Sequence, residues 1–430
     1  MTRSGALSGD APPHLVTPPP GPRSRALCER LAAVEAPGVN TLFTGKPSLL
    51  WEEARGANVR DVDGNVFLDL TSGFGVAAVG HAHPAVVAAV RAQAEILLHA
   101  LGDVHGHPLR VELAERLAAL APVDDPQVFF ALSGAEAVEI ALKTAVAATG
   151  RPALVAFDPS YHGLTLGALA VTSRPEFRQP FLAHLHPHVR RLPFACETAA
   201  IAAALAAGDV AAVIVEPIVG REGILVPPSG WLAALAELCR GAGTVLIADE
   251  VFTGFGRTGA LFAVEAEGVR PDLLCCGKAL GGGLPLAAVL GRRDLLRAWE
   301  TPGEALHTST FLANPLACAA ALAVLDALER ERLVERAARL APQVAQRLAT
   351  WPGRFPAAVA AVRGRGLLWG VELTSAEAAG RCAAAALQRG LLLLAGGPEG
   401  KVAQLVPPLV ITEEQLAVAL ALLEQALGEV

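Results

Sequence analysis

Tyrosine and methionine are almost missing from this chain. One of each stands among 430 residues, and aromatic residues make up 5%. Lysine is nearly as scarce: the 35 basic residues include only Lys46, Lys143, Lys278 and Lys401, so arginine carries almost all of the positive charge. Basic excess is absent too. The formal net charge of −7 argues against the broad positive surface that binds nucleic acid. No apolar stretch runs far without Gly, Pro or charge, so no membrane span is predicted. The start, MTRSGALSGDAPPHLVTPPPGPRSRA, lacks the continuous apolar segment of a signal peptide, and its Pro, Ser and Gly content predicts a disordered tail over residues 1–40. The seven cysteines (Cys28, Cys196, Cys239, Cys275, Cys276, Cys318, Cys382) are odd in number, scattered and without metal-ligand spacing. They predict buried thiols in a reducing cytoplasm, and neither disulfides nor a metal centre.

What the chain has in quantity is apolar side chain, 53% against 18% charged, enough for two domains around a large core. Between about 125 and 300, short apolar runs alternate with helical patterns: VFFAL (128–132), ALVAF (153–157), AAVIV (211–215), TVLIA (244–248), DLLCC (272–276) and LAAVL (286–290). Runs apolar throughout and of strand length predict strands covered on both faces. Alternation with helices such as GWLAALAELCRGAG predicts an α/β fold with a mostly parallel sheet, whose ligands gather at the carboxyl ends of the strands. Residues 58–70 predict a hairpin with Asp63-Gly64 at its turn. Beyond about 311, long Ala/Leu helices (314–349 and 413–428) flank the strand GLLWGVEL (366–373), predicting a smaller α+β domain. The expected division is a tail to residue 40, an N-terminal hairpin segment over 41–75 packing with the small domain, a large domain over 76–310 and a small domain over 311–430.

Several strand ends carry chemistry. VFFAL runs into Ser133-Gly134-Ala135-Glu136 and a strong helix. Ser-x-x-Glu is a helix-capping pattern. Alone it is either a well-capped helix or a first turn whose N–H groups and dipole cradle a phosphate. Asp249 and Glu250 follow TVLIA directly; paired carboxylates at a buried strand end need partners, which a salt-bridged loop or a cationic ring nitrogen would supply. Lys278 lies between DLLCC and a triple glycine, where burial would favour the neutral, nucleophilic amine; the alternative is a surface lysine in a flexible loop. Tyr161, the sole tyrosine, follows ALVAF and has a ring suited to stacking on a planar cofactor, whereas His162 beside it is the kind of histidine that is more often structural. The order matters more than any one residue: a phosphate-type helix start, an aromatic, a strand-end aspartate, then a lysine 29 positions later (278 − 249). An aspartate that keeps a pyridine nitrogen protonated makes pyridoxal phosphate an electron sink, and an amine holds that cofactor as a Schiff base.

From about residue 40 to the C-terminus the chain resembles the class III (ornithine/4-aminobutyrate type) aminotransferases, pyridoxal-phosphate enzymes of fold type I. The resemblance rests on GANVRDVDGNVFLDLTSGFGVAAVGHAHP, LSGAEAVEIALKTA, YHG, VEPIVGREG, IADEVFTGFGRTG, PDLLCCGKALGGGLPLAAVLG, HTSTFLANPLACAAALAVL and VRGRGLLWGVEL. It implies that Lys278 carries the cofactor and moves the substrate proton. Asp249 would pair the pyridine nitrogen, and Val251 and Tyr161 would sandwich the ring. Gly134 and Ala135, beside Ser133, would bind phosphate through backbone N–H groups. Thr310 would reach the phosphate of a neighbouring subunit, making a homodimer with shared sites, and Phe74 would line that neighbour's substrate pocket. Arg363 would bind a substrate carboxylate, and Glu216, in the Glu-Pro motif, would lie at the site's edge. The implied activity moves an amino group from an amino acid or ω-amine to a 2-oxo acid by a ping-pong mechanism.

The chain departs from the family pattern at four places. Leu164 stands where many members have arginine, Arg221 where 4-aminobutyrate enzymes carry glutamate, Phe252 in place of a glutamine near the cofactor, and Ala135 in place of Ser or Thr. With Leu164, one strong carboxylate site is expected, and pyruvate should compete well with 2-oxoglutarate unless Arg221 supplies the second charge. The alternatives are an amino-acid racemase or epimerase on the same scaffold and, from another class, a silent binding partner, which the intact Lys278 and Asp249 oppose.

Overall fold

The structure, a computed structural model, describes residues 6–39 and 48–430. Two compact units make up the chain. The larger spans Pro84–Ala345 with Arg363–Trp369; the smaller comprises Met1–His83, Gln346–Val362 and Gly370–Val430.

The larger unit is built on a seven-stranded sheet. Its strands are β1 (Pro126–Ala131), β2 (Ala153–Asp158), β3 (Val189–Pro193), β4 (Val210–Val215), β5 (Val245–Asp249), β6 (Leu273–Cys276) and β7 (Ala287–Arg292), in the order β1-β7-β6-β5-β4-β2-β3. Neighbours from β6 to β3 pair in parallel. β7 alone runs against them, antiparallel to both β6 and β1. β1 therefore points the same way as the parallel strands, and every carboxyl end except that of β7 opens on one edge. The six apolar runs all became strands, and every residue of β4 and β5 is buried. β3 was not predicted: VRRLP is only half-buried at the sheet's edge, so it lacks the continuous apolar run of its neighbours.

The helix Gly134–Thr149 buries Ala137, Val138, Ile140 and Ala141 against Ile214, Ile247, Leu273 and Cys275 of the sheet. Val138 and Ile140, fully buried, contribute about 1.5–3 kcal/mol each and the alanines less, so the packing fixes where the helix begins, close to the end of β1. The predicted long helix over 314–349 is two, Pro315–Arg330 and Leu333–Ala349, broken where Arg332 adopts φ 51°.

In the smaller unit, one four-stranded sheet runs Trp51–Arg55, Asn58–Asp61, Val66–Asp69 and Leu391–Leu392; a second four-stranded sheet, whose Arg363–Trp369 portion is counted with the larger unit, runs Val359–Arg365, Leu368–Leu373, Val402–Leu405 and Leu394–Gly396. The hairpin at 58–69 forms with Gly64 at φ 93°, a conformation that suits glycine. The predicted disordered tail is a correction over its described part. Leu7 is buried, His14 pairs with Val66 through both backbone bonds, and Pro22–Ala32 is a helix. The hairpin turn supplies what the composition hid: Asn65 Oδ1 accepts the N–H groups of Val16 and Thr17, and Asp63 accepts those of Arg23 and Ser24. Residues 1–5 of that tail, and 41–47 of the expected hairpin segment with Lys46, lie outside the described residues. Among the described residues no helix is long and apolar enough to cross a membrane.

Candidate active site

Sheet direction alone brings six sequence-predicted residues, at the ends of five strands, to one edge. Ser133 follows β1, Tyr161 and His162 follow β2, Glu216 follows β4, Asp249 ends β5 and Lys278 follows β6. Strand register aligns them further, with Val215 opposite Ala248 and Asp249 opposite Cys275.

Asp249 is 5% exposed. Its Oδ2 meets His162 Nδ1 at 2.7 Å and its Oδ1 accepts the Val251 N–H at 3.1 Å. His162 is buried, anchored by its N–H to Thr172 Oγ1 at 2.9 Å, and its Nε2 finds no partner. Thr172 was not predicted; it lies ten positions beyond His162, just after the short apolar helix Leu166–Val171. His162, also a candidate for cofactor binding, thus touches the carboxylate of Asp249. Glu250, next in the chain, turns away. It accepts from the Thr253 hydroxyl and from the Val264 N–H at 2.8 Å, and burial pushes its carboxyl up to about 7.

Lys278 sits at φ 41°, a left-handed conformation that costs a non-glycine residue of order 1–3 kcal/mol and persists where surroundings enforce it. Its Nζ lies 4.8 Å from the centre of the Phe252 ring. Burial pushes its pKa below the ordinary lysine value, against the pull of Asp249 and Glu216, and the charge of Arg221 adds to the lowering. A lysine held in this way reaches its neutral, nucleophilic form at lower pH.

At the helix start, Ser133 Oγ accepts the Glu136 N–H at 3.2 Å, while the Glu136 carboxylate reaches back to the Leu132 N–H at 2.6 Å. The N–H groups of Gly134 and Ala135, in the first turn, have no intrahelical acceptor. Val251 packs onto that turn so closely that a Cβ on Gly134 would come within 2.8 Å of it.

Glu216 ties two loops together. Its Oε1 accepts the Tyr161 N–H at 2.8 Å and its Oε2 the Gly220 N–H at 2.9 Å. Burial raises its carboxyl to about 7, the charge of Asp249 pushing the same way and that of His162 opposing. Arg221 places its guanidinium 4.5 Å from the Tyr161 ring centre. Arg363 donates from Nε to the Gly223 carbonyl at 2.9 Å, which brings it to the same loop as Arg221. Leu164 is exposed. Thr310 is exposed beside the exposed Phe311. Phe74 belongs to the smaller unit, 62% exposed and at φ 62°.

A profile of the class-III aminotransferases matches residues 44–427. This chain belongs to the class-III aminotransferase family. It is 45% identical to the acetylornithine aminotransferase of Methanopyrus kandleri over 372 residues, 86% of this chain and 92% of that protein. It is 39% identical to the 4-aminobutyrate aminotransferase of Mycobacterium tuberculosis, covering 94% of this chain and 95% of that one. Among solved structures, the ornithine aminotransferase of Toxoplasma gondii superposes with a TM-score of 0.85 at 32% identity, over 93% of this chain and 95% of that one. This class-III aminotransferase is thus a pyridoxal-phosphate enzyme of fold type I that transfers amino groups. Nothing in these likenesses favours the racemase alternative.

Proposed function

We propose that Lys278 is the residue that holds pyridoxal phosphate and moves the substrate proton, in a ping-pong transfer from an amino acid or ω-amine to a 2-oxo acid. The observation that carries this reading is the meeting of Lys278, Asp249, Tyr161 and the helix start at Ser133 on one sheet edge.

The residues present suit the cofactor. Gly134 and Ala135 offer N–H groups at the positive end of a 16-residue helix, a ready anion site. Asp249, oriented by His162 and the Val251 N–H, offers a carboxylate to a ring nitrogen, and the partnerless His162 Nε2 lies in the same buried patch. Tyr161 and Val251 offer an aromatic and an aliphatic face. Pyridoxal phosphate supplies an aldehyde that bonds covalently to amines and a ring that accepts the electron pair left when the substrate carbon loses its proton. The protein's part is to bind, orient and shuttle. Lys278 Nζ, lowered in pKa, accepts a proton from the substrate carbon and returns it. Glu216 keeps the Tyr161 loop and the Gly220 loop in register with one another. Arg363 is the proposed contact for a substrate carboxylate, its fork suited to bidentate recognition.

The assembly we propose is a homodimer with shared sites. Ile96, Leu98, Leu101, Val104, Leu306 and Phe311 expose large apolar side chains. The 96–105 and 306–311 segments touch through the His99 and Phe311 rings, 5.3 Å apart. Apolar clusters of this kind mark association surfaces, and Thr310 lies within this one, where it can serve a neighbouring subunit. The seven free cysteines support a reducing, cytoplasmic setting.

Borohydride reduction of the cofactor-loaded enzyme followed by peptide mapping tests the assignment. The label should fall on Lys278, and Lys278→Ala should lose turnover by roughly 10²–10⁴-fold or more. Labelling of Lys46, Lys143 or Lys401 would overturn it.

A further inference from the structure

Residues 219–225 form a closed turn. Val219 and Leu225 pair through two backbone bonds of 3.0 Å, and the N–H groups of Gly223 and Ile224 donate to the Gly220 carbonyl at 3.2 and 3.1 Å. Its base is pinned by the Gly220 N–H on Glu216, and its far side by Arg363 Nε on the Gly223 carbonyl. Gly220 has no room for a side chain, since a Cβ would stand 2.2 Å from the Phe252 ring. That same ring lies under Lys278 Nζ. Arg221 therefore follows directly on a residue packed against the aromatic neighbour of the reacting amine, and its charge is felt at that amine.

Adjacent residues at the tip have different surroundings. Glu222 is fully buried and accepts Arg174 Nε at 2.8 Å on both of its oxygens. Arg221 is half-buried and stacks 4.5 Å from the Tyr161 centroid and 5.3 Å from that of Phe177. Arg174, the partner of Glu222, lies 5.5 Å from the same Phe177 ring. The two rings meet edge to face at 6.3 Å. Two arginines and two aromatic rings thus form one array, locked to the turn by a partly buried ion pair.

Stacking engages a guanidinium through its face, and a guanidinium recognises carboxylate through its edge. A side chain already immobilised by packing loses little rotamer freedom when it binds. We infer that Arg221 is the specificity-determining cation of this enzyme. It receives the second carboxylate of a dicarboxylic substrate, a 2-oxo dicarboxylate or the amino acid formed from it. Arg174 and Glu222 are positioning residues that hold the turn and the stack. The inference rests on the reading of Lys278 as the reacting amine.

Calorimetry on the cofactor-loaded enzyme tests this without turnover. Glutarate should bind roughly ten- to a hundredfold more tightly than butyrate, the range a charge-assisted hydrogen-bonded contact supplies. Arg221→Leu should erase that preference and Arg221→Lys should restore part of it. In steady state, Arg221→Leu should lower the ratio of kcat/KM for 2-oxoglutarate over pyruvate by a similar factor. Arg174→Met and Glu222→Gln should raise KM for 2-oxoglutarate more than they change kcat, with Arg174→Lys recovering part of the loss. Equal binding of glutarate and butyrate by the wild type, or a preference that survives in Arg221→Leu, overturns the inference. A wild type that transfers no amino group to either acceptor, while Lys278 escapes labelling, overturns the underlying reading instead.

Discussion

Glu424 in the smaller unit and Glu216 in the larger are both carboxylates drawn into the protein, and the structure moves their acidities in opposite directions. Glu424 accepts from Arg347 Nε at 2.8 Å, Trp351 Nε1 at 3.0 Å and Arg354 Nη2 at 3.2 Å. Burial works against its ionisation, yet the two guanidinium groups and the indole outweigh it and hold the carboxyl at about 2. Glu216 receives only two backbone N–H groups, and burial, with the nearby Asp249, lifts it to about 7. Two guanidinium groups bond directly to the scaffold's carboxylate, whereas among the described residues no side chain donates to the site's. The difference separates a group that must stay ionised from one left near its tipping point, a recurrent property of active sites. Glu250 guards against reading acidity alone: burial raises it equally, yet its partners, Thr253 and Val264, make it a brace for the loop after β5.

The comparison can be broken by substitution. The largest effect is expected on activity at the site. Asp249→Asn should still bind the cofactor, but single-turnover measurement with an amine donor should show proton removal slowed about 10–150-fold, the worth of a charge-assisted hydrogen bond of roughly 1.5–3 kcal/mol. An unchanged rate would remove Asp249 from the chemistry. In the smaller unit, Glu424→Gln should cost roughly 2 kcal/mol of stability at pH 7, after discounting for partial solvent access, and leave kcat of the folded enzyme alone. Because the folded carboxyl is more acidic than the unfolded one, this contribution is present above about pH 4.5 and lost as pH falls through about 2. Chemical denaturation at pH 7 and pH 3 should show a smaller gap between wild type and variant at the lower pH. The smallest effect belongs to Glu250. Its raised pKa means that the stability it contributes is complete below about pH 4.5 and lost as pH rises through about 7. Glu250→Gln should remove that slope, at most about 1.4 kcal/mol per pH unit. A variant whose denaturation midpoint follows pH as the wild type does would show that Glu250 ionises freely in the fold.

Much of this was legible in the sequence. A strand buried on both faces must be apolar throughout, so β4 and β5 announced themselves, and the polar residues at their ends stood out against that background. Lys278 and Asp249 stand out in the sequence because lysine is scarce here and because carboxylates are costly at buried strand ends. Arg174, Phe177 and Thr172 were not found. They reach the site from a short helix and the loop beyond it, after β2, where neither periodicity nor a motif marks them. The same limit explains β3, whose edge position tolerates Val-Arg-Arg-Leu-Pro, and the N-terminal segment, whose composition gave no sign that Asp63 and Asn65 would hold it.

The one reversed strand, β7, also sets an order of assembly. It leaves the lysine loop and returns against β6 after only ten residues, 277–286, so Cys276 pairs with Ala288 across a short closure. Its other edge waits for β1, where Ala131 pairs with Ala287 across 156 positions (287 − 131). Closing a short loop surrenders little chain entropy, and contacts far apart in sequence form more slowly. The hairpin that carries Lys278 can therefore nucleate by itself, whereas the helix Gly134–Thr149 joins only when the two ends of the unit meet. By this order the loop that carries Lys278 would be set before the helix start at Ser133 meets it.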